Sequence, residues 1–237
     1  MTAMPHKKLE EALFLVDWNS NVAEFLTDAS SATLAECNLR LAIWSKQFEI
    51  VDGGNPALPF IREMQVAGHH VVALTGLSLY KPAAAAMRIM LETALYYTYF
   101  RTHPSELRTL AHDPKYFIEK SDLIDYHNRH TPDFKTLQGR LGLVDKLRKW
   151  YNFTSSIVHG QIPGGWVEHK SLAETRHVPK TLSVVVEAFS EGVDIVHSLF
   201  LCTVGRELWR DFSSTAKKIL LAGLSGEVKT ALGLDRA

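Results

Sequence analysis

The sequence has little cysteine and no excess charge, and both absences narrow the classes of protein it can belong to. Its two cysteines, Cys37 and Cys202, lie far apart in apolar, helix-like surroundings. We therefore expect buried free thiols and no disulfide or metal framework. Lysine plus arginine number 26, as do aspartate plus glutamate. Because the charges balance, the net charge of the chain gives no reason to expect binding to nucleic acid, to an acidic membrane or to an acidic partner. A local basic groove is still compatible with this balance.

Long apolar runs and secretory features are also absent. No segment has the roughly 18 uninterrupted apolar residues of a membrane helix, since the nearest candidate carries Arg88 and Glu92. The first residues lack the continuous apolar stretch of a secretory signal. We therefore expect a cytoplasmic protein that makes no membrane contact.

Motifs that fix a cofactor or a nucleophile are missing as well. Neither glycine-rich phosphate loop occurs, and no serine stands in a Gly-x-Ser-x-Gly context. Asp125, His127 and His130 form an Asp-x-His-x-x-His pattern with possible metal-ligand chemistry, but no further ligand set has diagnostic spacing. We expect neither a metal nor an organic cofactor.

Helical periodicity is what the sequence has in abundance. Apolar residues recur at spacings of three and four along most of the chain, bounded by proline and glycine. The pattern predicts a single all-α domain over 1–237, folded as a multi-helix bundle, with 161–179 as the longest irregular stretch. The predicted helices cover 5–26, 33–52, 59–79, 81–101, 105–111, 114–128, 143–159, 182–210 and 215–232.

The helix predicted over 81–101 is apolar on most sides and carries one polar stripe. At 100° per residue, this stripe contains Lys81, Arg88, Glu92, Tyr96 and Tyr99. One interpretation is a structural Arg88–Glu92 ion pair that orients packed helices. The other is the polar floor of a cleft, in which the arginine, the glutamate and the two tyrosines bind an anion or another ligand.

A second polar face lies on the helix predicted over 143–159. Arg148, Asn152, Ser155 and His159 fall at offsets of zero, four, seven and eleven, which place them on one side. Histidine is the natural acid–base group near neutral pH, so His159 is the candidate catalytic residue, with the other three as helpers. The alternative is that His159 caps the helix and Gly160 supplies the left-handed turn. The two interpretations are compatible.

A family resemblance rests on residues from both helices. They are Pro82-Ala83, Arg88, Leu91-Glu92, Tyr99, His103-Pro104 and Glu106, followed by Tyr151, Ser155 and Val158-His159-Gly160. This arrangement resembles proteins of the HEPN superfamily (higher eukaryotes and prokaryotes nucleotide-binding), particularly its prokaryotic abortive-infection-like branches. The similarity covers roughly 60–160, and the remaining helices would be additions at both ends of a HEPN-like core.

The resemblance implies an α-helical bundle, frequent dimerisation and, in many members, metal-independent ribonuclease activity in toxin or antiphage systems. Those enzymes carry an arginine and a histidine with four to six residues between them. In this sequence positions 152–154 are Asn152, Phe153 and Thr154, and Arg148 lies one turn too early.

Two kinds of function are therefore expected. The first is a ribonuclease, or a degenerate relative of one, in a prokaryotic defence or stress system, with His159 as acid/base and Arg148, Asn152 and Ser155 at the phosphate. The alternative is a non-catalytic binder of a nucleotide or small ligand, or a helical dimerisation scaffold. Either form is expected to be a homodimer, with RNA or a nucleotide as a possible partner.

Overall fold

A computed structural model describes residues 3–167 and 169–234, and within them the chain is helical and contains no β-strand. The all-α, multi-helix prediction is confirmed. Residues 1, 2, 168 and 235–237 of the predicted domain lie outside the described residues, and the single-domain assignment stays a prediction. Buried apolar side chains from nearly every helix nonetheless form one continuous cluster.

The helices follow one another along the chain, joined mostly by short turns. They are α1 (Ala3–Phe14), α2 (Trp18–Thr27), α3 (Ser30–Val51), α4 (Leu58–Gly76), α5 (Tyr80–Phe100), α6 (Pro104–His112), α7 (Lys120–His130), α8 (Phe134–Leu141), α9 (Leu143–Val158), α10 (Pro179–Cys202), α11 (Val204–Leu208), α12 (Ser214–Leu220) and α13 (Gly226–Leu232). Short 3-10 helices cover Leu172–Glu174 and Trp209–Asp211.

Helix α5 is the centre of the bundle. It packs against α4, α9 and α10, and its C-terminal half also contacts α7. Alanine, methionine, leucine and aromatic side chains of α5 are buried on these sides, as an almost uniformly apolar helix requires. The partly exposed residues of α5 include Lys81, Arg88 and Glu92, so the polar stripe lies where the neighbouring helices leave a gap.

A close contact at Gly192 fixes α9 against α10. A Cβ atom on Gly192 would lie 2.5 Å from Cζ2 of Trp150, so only glycine leaves room for the indole. The Trp150 Nε1–H donates to the Ala188 carbonyl at 2.6 Å. Trp150 is 2% exposed. Because Trp150 is anchored in this way, the rotation of α9 about its own axis is fixed.

A second group of aromatic rings joins α3 to α10. The Trp44 ring is stacked on Phe48 with centroids 5.4 Å apart and lies 5.2 Å from Phe200. Trp44 Nε1–H donates to His197 Nδ1 at 3.0 Å, inside the core. The imidazole of His197 therefore accepts at Nδ1, which requires the neutral ring.

Three predicted helices are shorter than their apolar patterns suggested. The segment 5–26 is divided between α1 and α2, since Asp17 accepts a hydrogen bond from the Ser20 N–H and starts a new helix. The segment 182–210 breaks at Thr203, whose φ of −128° and ψ of −124° are not helical. The segment 215–232 is interrupted at Gly223, with φ of +80°, before α13 begins.

Both cysteines are buried free thiols, as predicted. Burial raises the pKa of Cys37, and it raises the pKa of Cys202 to about 12. The apolar stripe of α10 is part of the core. Its members Val193, Val196, Leu199 and Phe200 are fully buried in the structure.

Two buried histidines make the fold sensitive to acid. Burial lowers the pKa of His127 from 6.5 to about 4 and that of His197 from 6.5 to about 3. Both are neutral in the folded state, so the unfolded chain takes up protons first as the pH falls. The stability they contribute is complete above pH 6.5 and is lost towards pH 4 for His127 and towards pH 3 for His197.

We expect the free energy of unfolding, measured with urea between pH 7 and pH 4.5, to decrease as the pH falls. The slope contributed by each histidine is at most about 1.4 kcal/mol per pH unit. Replacing His127 with glutamine removes one titrating group and should flatten the dependence below pH 6.5. A His127→Gln variant with the full wild-type slope would contradict this assignment.

Candidate functional site

The candidate site lies where α5 and α9 run side by side. On α9, Tyr151, Ser155 and His159 follow one another at intervals of four, which places them along one edge of the helix. On α5, Arg88 and Glu92 are also four residues apart and face that edge. The two polar stripes are separate features of the sequence, and the structure brings part of each together.

Arg88 connects the two helices through its guanidinium group. Nη2 donates to Glu92 Oε1 at 3.1 Å and also to the Tyr151 hydroxyl, while Nη1 lies 3.1 Å from Nε2 of His159. The Arg88 side chain is 19% exposed and that of Glu92 is 31% exposed. The ion pair is therefore partly shielded from water but open on one side.

Tyr151 completes the cluster between the two charges. Its hydroxyl donates to Glu92 Oε1 at 2.6 Å and accepts from Arg88, so one phenol satisfies both partners. The face of the ring also attracts cations. The Arg88 Cζ lies 4.7 Å and the Lys120 Nζ lies 4.1 Å from the ring centroid, within the range of a cation–π contact.

His159 stands directly after the last residue of α9. Its backbone N–H donates to the Ser155 carbonyl at 2.9 Å, and Gly160 follows with φ of +67°, so the predicted helix end is present. The imidazole is nevertheless exposed and contacts Arg88. Because a guanidinium group only donates, Nε2 must be the accepting nitrogen and the ring hydrogen is on Nδ1. The backbone of His159 therefore caps α9 while its ring contacts Arg88.

Positive charge predominates around the cluster. The Lys81 Nζ lies beside Gly160, 3.6 Å from where a Cβ would stand, and the Lys120 Nζ lies over Tyr151. With Arg88, these are three cations near the cluster, and, after burial, the nearby carboxylates of Glu92 and Glu119 raise the pKa of the neighbouring Tyr96. The net charge of the whole chain, which is zero, does not reveal this local excess of positive charge.

Two polar atoms in this region are buried and have no hydrogen-bond partner among the described residues. They are Nε of Arg88 and Oγ of Ser155, the residue between Tyr151 and His159. A buried polar group that lacks a partner costs roughly 1–3 kcal/mol. Such groups need an explanation in a folded protein, and a catalytic role is one.

The structure does not bring two of the predicted catalytic residues to His159. Arg148 is 69% exposed and pairs with Asp145 at 3.0 Å, and Asn152 is also exposed. The buried side of α9 carries Leu147, Trp150, Thr154 and Ile157. The residues of α9 nearest α5 are therefore Tyr151 and those in line with it. Arg148 and Asn152 lie further round the helix, towards solvent.

The predicted ligand-binding tyrosines are also divided between two places. Tyr96 is partly buried, with its ring 5.4 Å from that of Phe60, and burial followed by the charge of Glu92 raises its pKa. Tyr99 belongs to another cluster. Its hydroxyl donates to Glu106 at 2.6 Å and its ring stacks on His103 at 4.0 Å. Burial, reinforced by Glu106, raises the pKa of Tyr99.

Tyr151, Lys81 and Lys120 were not assigned to the site from the sequence, although Tyr151 is among the residues of the resemblance and Lys81 belongs to the polar stripe of α5. The regular spacing from Tyr151 through Ser155 to His159 was a usable signal for the first. Lys120 begins α7 and reaches Tyr151 through tertiary packing. No pattern within one helix reveals that contact.

The Asp125-x-His127-x-x-His130 pattern does not gather around a common point. His127 is buried and uses both ring nitrogens, with Nδ1 2.8 Å from Thr131 Oγ1 and Nε2 2.9 Å from Thr98 Oγ1. Across residues 3–167 and 169–234, no group of three or more histidine, cysteine, aspartate or glutamate residues is placed to hold a metal ion.

Comparison with protein-family models, with curated proteins and with solved structures finds no match to this chain. In the part of the chain that the structure describes, no helix has both the length and the apolar character needed to cross a membrane.

The cluster should be energetically coupled. We expect a double-mutant cycle between Glu92→Gln and Tyr151→Phe, measured by urea unfolding at pH 7, to give a coupling of about 0.5–3 kcal/mol, since both residues share Arg88. The exposed Asp145–Arg148 pair provides the matched control and should give a clearly smaller coupling. Equal coupling in the two cycles would mean that the cluster is an ordinary surface ion pair.

Proposed function

We propose that this chain is a metal-independent ribonuclease of HEPN type in a prokaryotic defence or stress system, with its reaction centre at Arg88 and His159. The observation that carries the proposal is the 3.1 Å contact between Arg88 Nη1 and His159 Nε2, beside Tyr151 and Glu92. It places a phosphate-binding cation next to an acid–base group, which are the two components that cleavage of RNA without a metal requires.

The contact also accounts for the missing arginine of the family motif. Positions 152–154 hold no arginine, yet the side chain of Arg88 occupies the space next to His159 from the neighbouring helix. We infer that Arg88 takes the role that the resemblance assigns to an arginine before the histidine. Arg148, the first candidate by sequence, then has no part in the reaction.

Phosphate binding would activate His159 by removing its present partner. In the free protein, Arg88 donates to the Nε2 lone pair, so that nitrogen is occupied. A phosphodiester carries a full charge and competes for the guanidinium through charge-assisted hydrogen bonds. As Arg88 turns towards the phosphate, Nε2 becomes available as a base.

The proposed reaction is an internal transesterification. Nε2 of His159 takes the proton of the ribose 2′-hydroxyl, the 2′-oxygen attacks the adjacent phosphorus, and the bond from phosphorus to the 5′-oxygen breaks. The ammonium group of Lys81, next to Gly160, gives a proton to that leaving oxygen. The products are a 2′,3′-cyclic phosphate and a 5′-hydroxyl, and proton exchange with water restores both side chains.

Arg88 stabilises the charge that develops on the phosphorane oxygens, and Glu92 and Tyr151 keep the guanidinium at the junction of the two helices. A second candidate function is RNA or nucleotide binding without cleavage. It is favoured by the fact that Glu92 and Tyr151 already satisfy one nitrogen of Arg88, an arrangement that suits a fixed anion-binding group.

Cleavage of a fluorescent single-stranded RNA in the presence of EDTA tests the proposal. We expect His159→Ala and Arg88→Ala to lower the rate by about 100-fold or more, the usual contribution of acid–base and charge-stabilising groups. The exposed Arg148→Ala serves as the matched control and should stay within about twofold of wild type, on the expectation for surface residues outside the site. Mass spectrometry should identify the 2′,3′-cyclic phosphate.

Wild-type protein that leaves RNA intact, or a His159→Ala variant that cleaves as fast as wild type, would refute the ribonuclease. If the intact RNA is still bound and Arg88→Ala abolishes the binding while Arg148→Ala does not, the non-catalytic function replaces it.

A homodimer is part of the same proposal, because the resemblance implies one and the end of α1 presents unburied apolar side chains. Phe14 is 81% exposed and Leu15 is 70% exposed. We expect light scattering at micromolar concentration to give twice the mass of one chain, and Phe14→Ser with Leu15→Ser to return the mass of one chain. A monomeric wild-type protein would remove the dimer from the proposal.

A further inference from the structure

A cavity of about 450 Å³ lies at the C-terminal end of α5, away from the site formed with α9. Its wall is formed by residues of α5, α7, the turn before α8, and α10–α11. They include Arg101, Tyr126, His127, His130, Asp133 and Glu207. The volume falls within the roughly 300–1,000 Å³ of small-molecule sites.

This cavity is separate from the Arg88 cluster. Arg101 is thirteen residues beyond Arg88 along α5, which corresponds to roughly 20 Å along the helix axis and to nearly the opposite side of the helix. A ligand in the cavity therefore contacts neither His159 nor Arg88.

The charged residues of the wall cancel one another. Arg101 donates from Nη1 to both carboxylate oxygens of Glu207, at 3.1 and 3.0 Å, and from Nε to Asp52 at 3.0 Å. Arg206 donates from Nη2 to Asp133 at 3.0 Å. Two cations and two anions line the cavity, so it has no net charge to attract a phosphate or a dicarboxylate.

One side of the cavity is aromatic and another is apolar. The rings of Tyr126 and His130 lie 5.0 Å apart at 39°, and both form part of the wall, with His130 exposed. Cys202, Val204 and Pro132 supply apolar surface. Flat aromatic walls of this kind hold planar rings by stacking.

The polar groups of the wall are held in fixed positions. His127, 2% exposed, is neutral and bonds to Thr98 and Thr131 through its two ring nitrogens. The guanidinium of Arg101 is fixed by two carboxylates through Nε and Nη1. A guanidinium carries five N–H donors, more than these bonds use, and the neighbouring carboxylates keep lone pairs that can accept. Such a site offers rigid donors next to rigid acceptors.

We propose that this cavity binds a nucleoside, that is, a neutral planar heterocycle with donors and acceptors on its edge, attached to an uncharged sugar. The ring stacks against Tyr126 and His130, and its edge meets Arg101, Asp133 and Glu207. Net neutrality of the wall selects against the same ligand carrying a phosphate. The proposal does not depend on ribonuclease activity at His159.

Isothermal titration calorimetry of the full chain with adenosine, guanosine, cytidine and uridine, and with their 5′-monophosphates, tests it. We expect saturable binding of at least one nucleoside, no tighter binding of its monophosphate, and no binding of inorganic phosphate. Removing the stacking ring with His130→Ala should weaken binding about fivefold or more. His112→Ala, an exposed histidine outside the cavity, is the matched control and should bind as wild type.

Two further variants separate this cavity from the other site. Thr102→Trp places a large side chain at the exposed edge of the wall and should abolish binding, whereas Arg88→Ala should leave the nucleoside affinity unchanged. The proposal is overturned if no nucleoside binds, if only monophosphates bind, or if Arg88→Ala removes the binding. His130→Ala, which changes an exposed residue, still decides the matter if Thr102→Trp does not fold.

Discussion

Burial of α5 on three sides is the constraint on which the other features depend. Packing against α4, α9 and α10 removes the apolar surface of this helix from water and leaves one gap, through which its polar stripe reaches solvent. A charged side chain in such a gap must find partners, because an unpaired charge in a shielded position is costly. Arg88 finds them on α9, in Tyr151 and His159. The contact between the two helices and the candidate site are therefore one arrangement.

The same constraint explains why the site differs from the one expected on α9 alone. Trp150 occupies the space that Gly192 leaves on α10 and so sets the rotation of α9 about its axis. That rotation turns the line through Tyr151 and His159 towards Arg88, and it leaves Arg148 in solvent. The interpretation of Arg88–Glu92 as a structural ion pair and its interpretation as a binding group are both compatible with the contacts. Arg88 links the two helices, and it is also the side chain that a bound phosphate would have to displace.

Much of the fold was predictable because apolar spacing reports directly on helices. The bounds of α5 and α9 were predicted to within a residue or two, and the two polar stripes were identified. The breaks before α2 and after α10 were missed, since a single capping side chain at Asp17 and a non-helical residue at Thr203 decide them within an unbroken apolar pattern. Within the site, Arg88, Glu92 and His159 were named from the sequence. Lys120 was not, because its contact with Tyr151 depends on how α7 packs.

Arg88 donates to Nε2 of His159 and so fixes the position of the hydrogen on that imidazole. The most direct test is ¹⁵N NMR of the His159 ring in the free protein, at a pH where the ring is neutral, with Arg88→Ala for comparison. We expect the hydrogen on Nδ1 and an unprotonated Nε2 in the wild type, with a shift in the tautomer population when the arginine is removed. A hydrogen on Nε2, unchanged in the Arg88→Ala variant, would contradict this assignment.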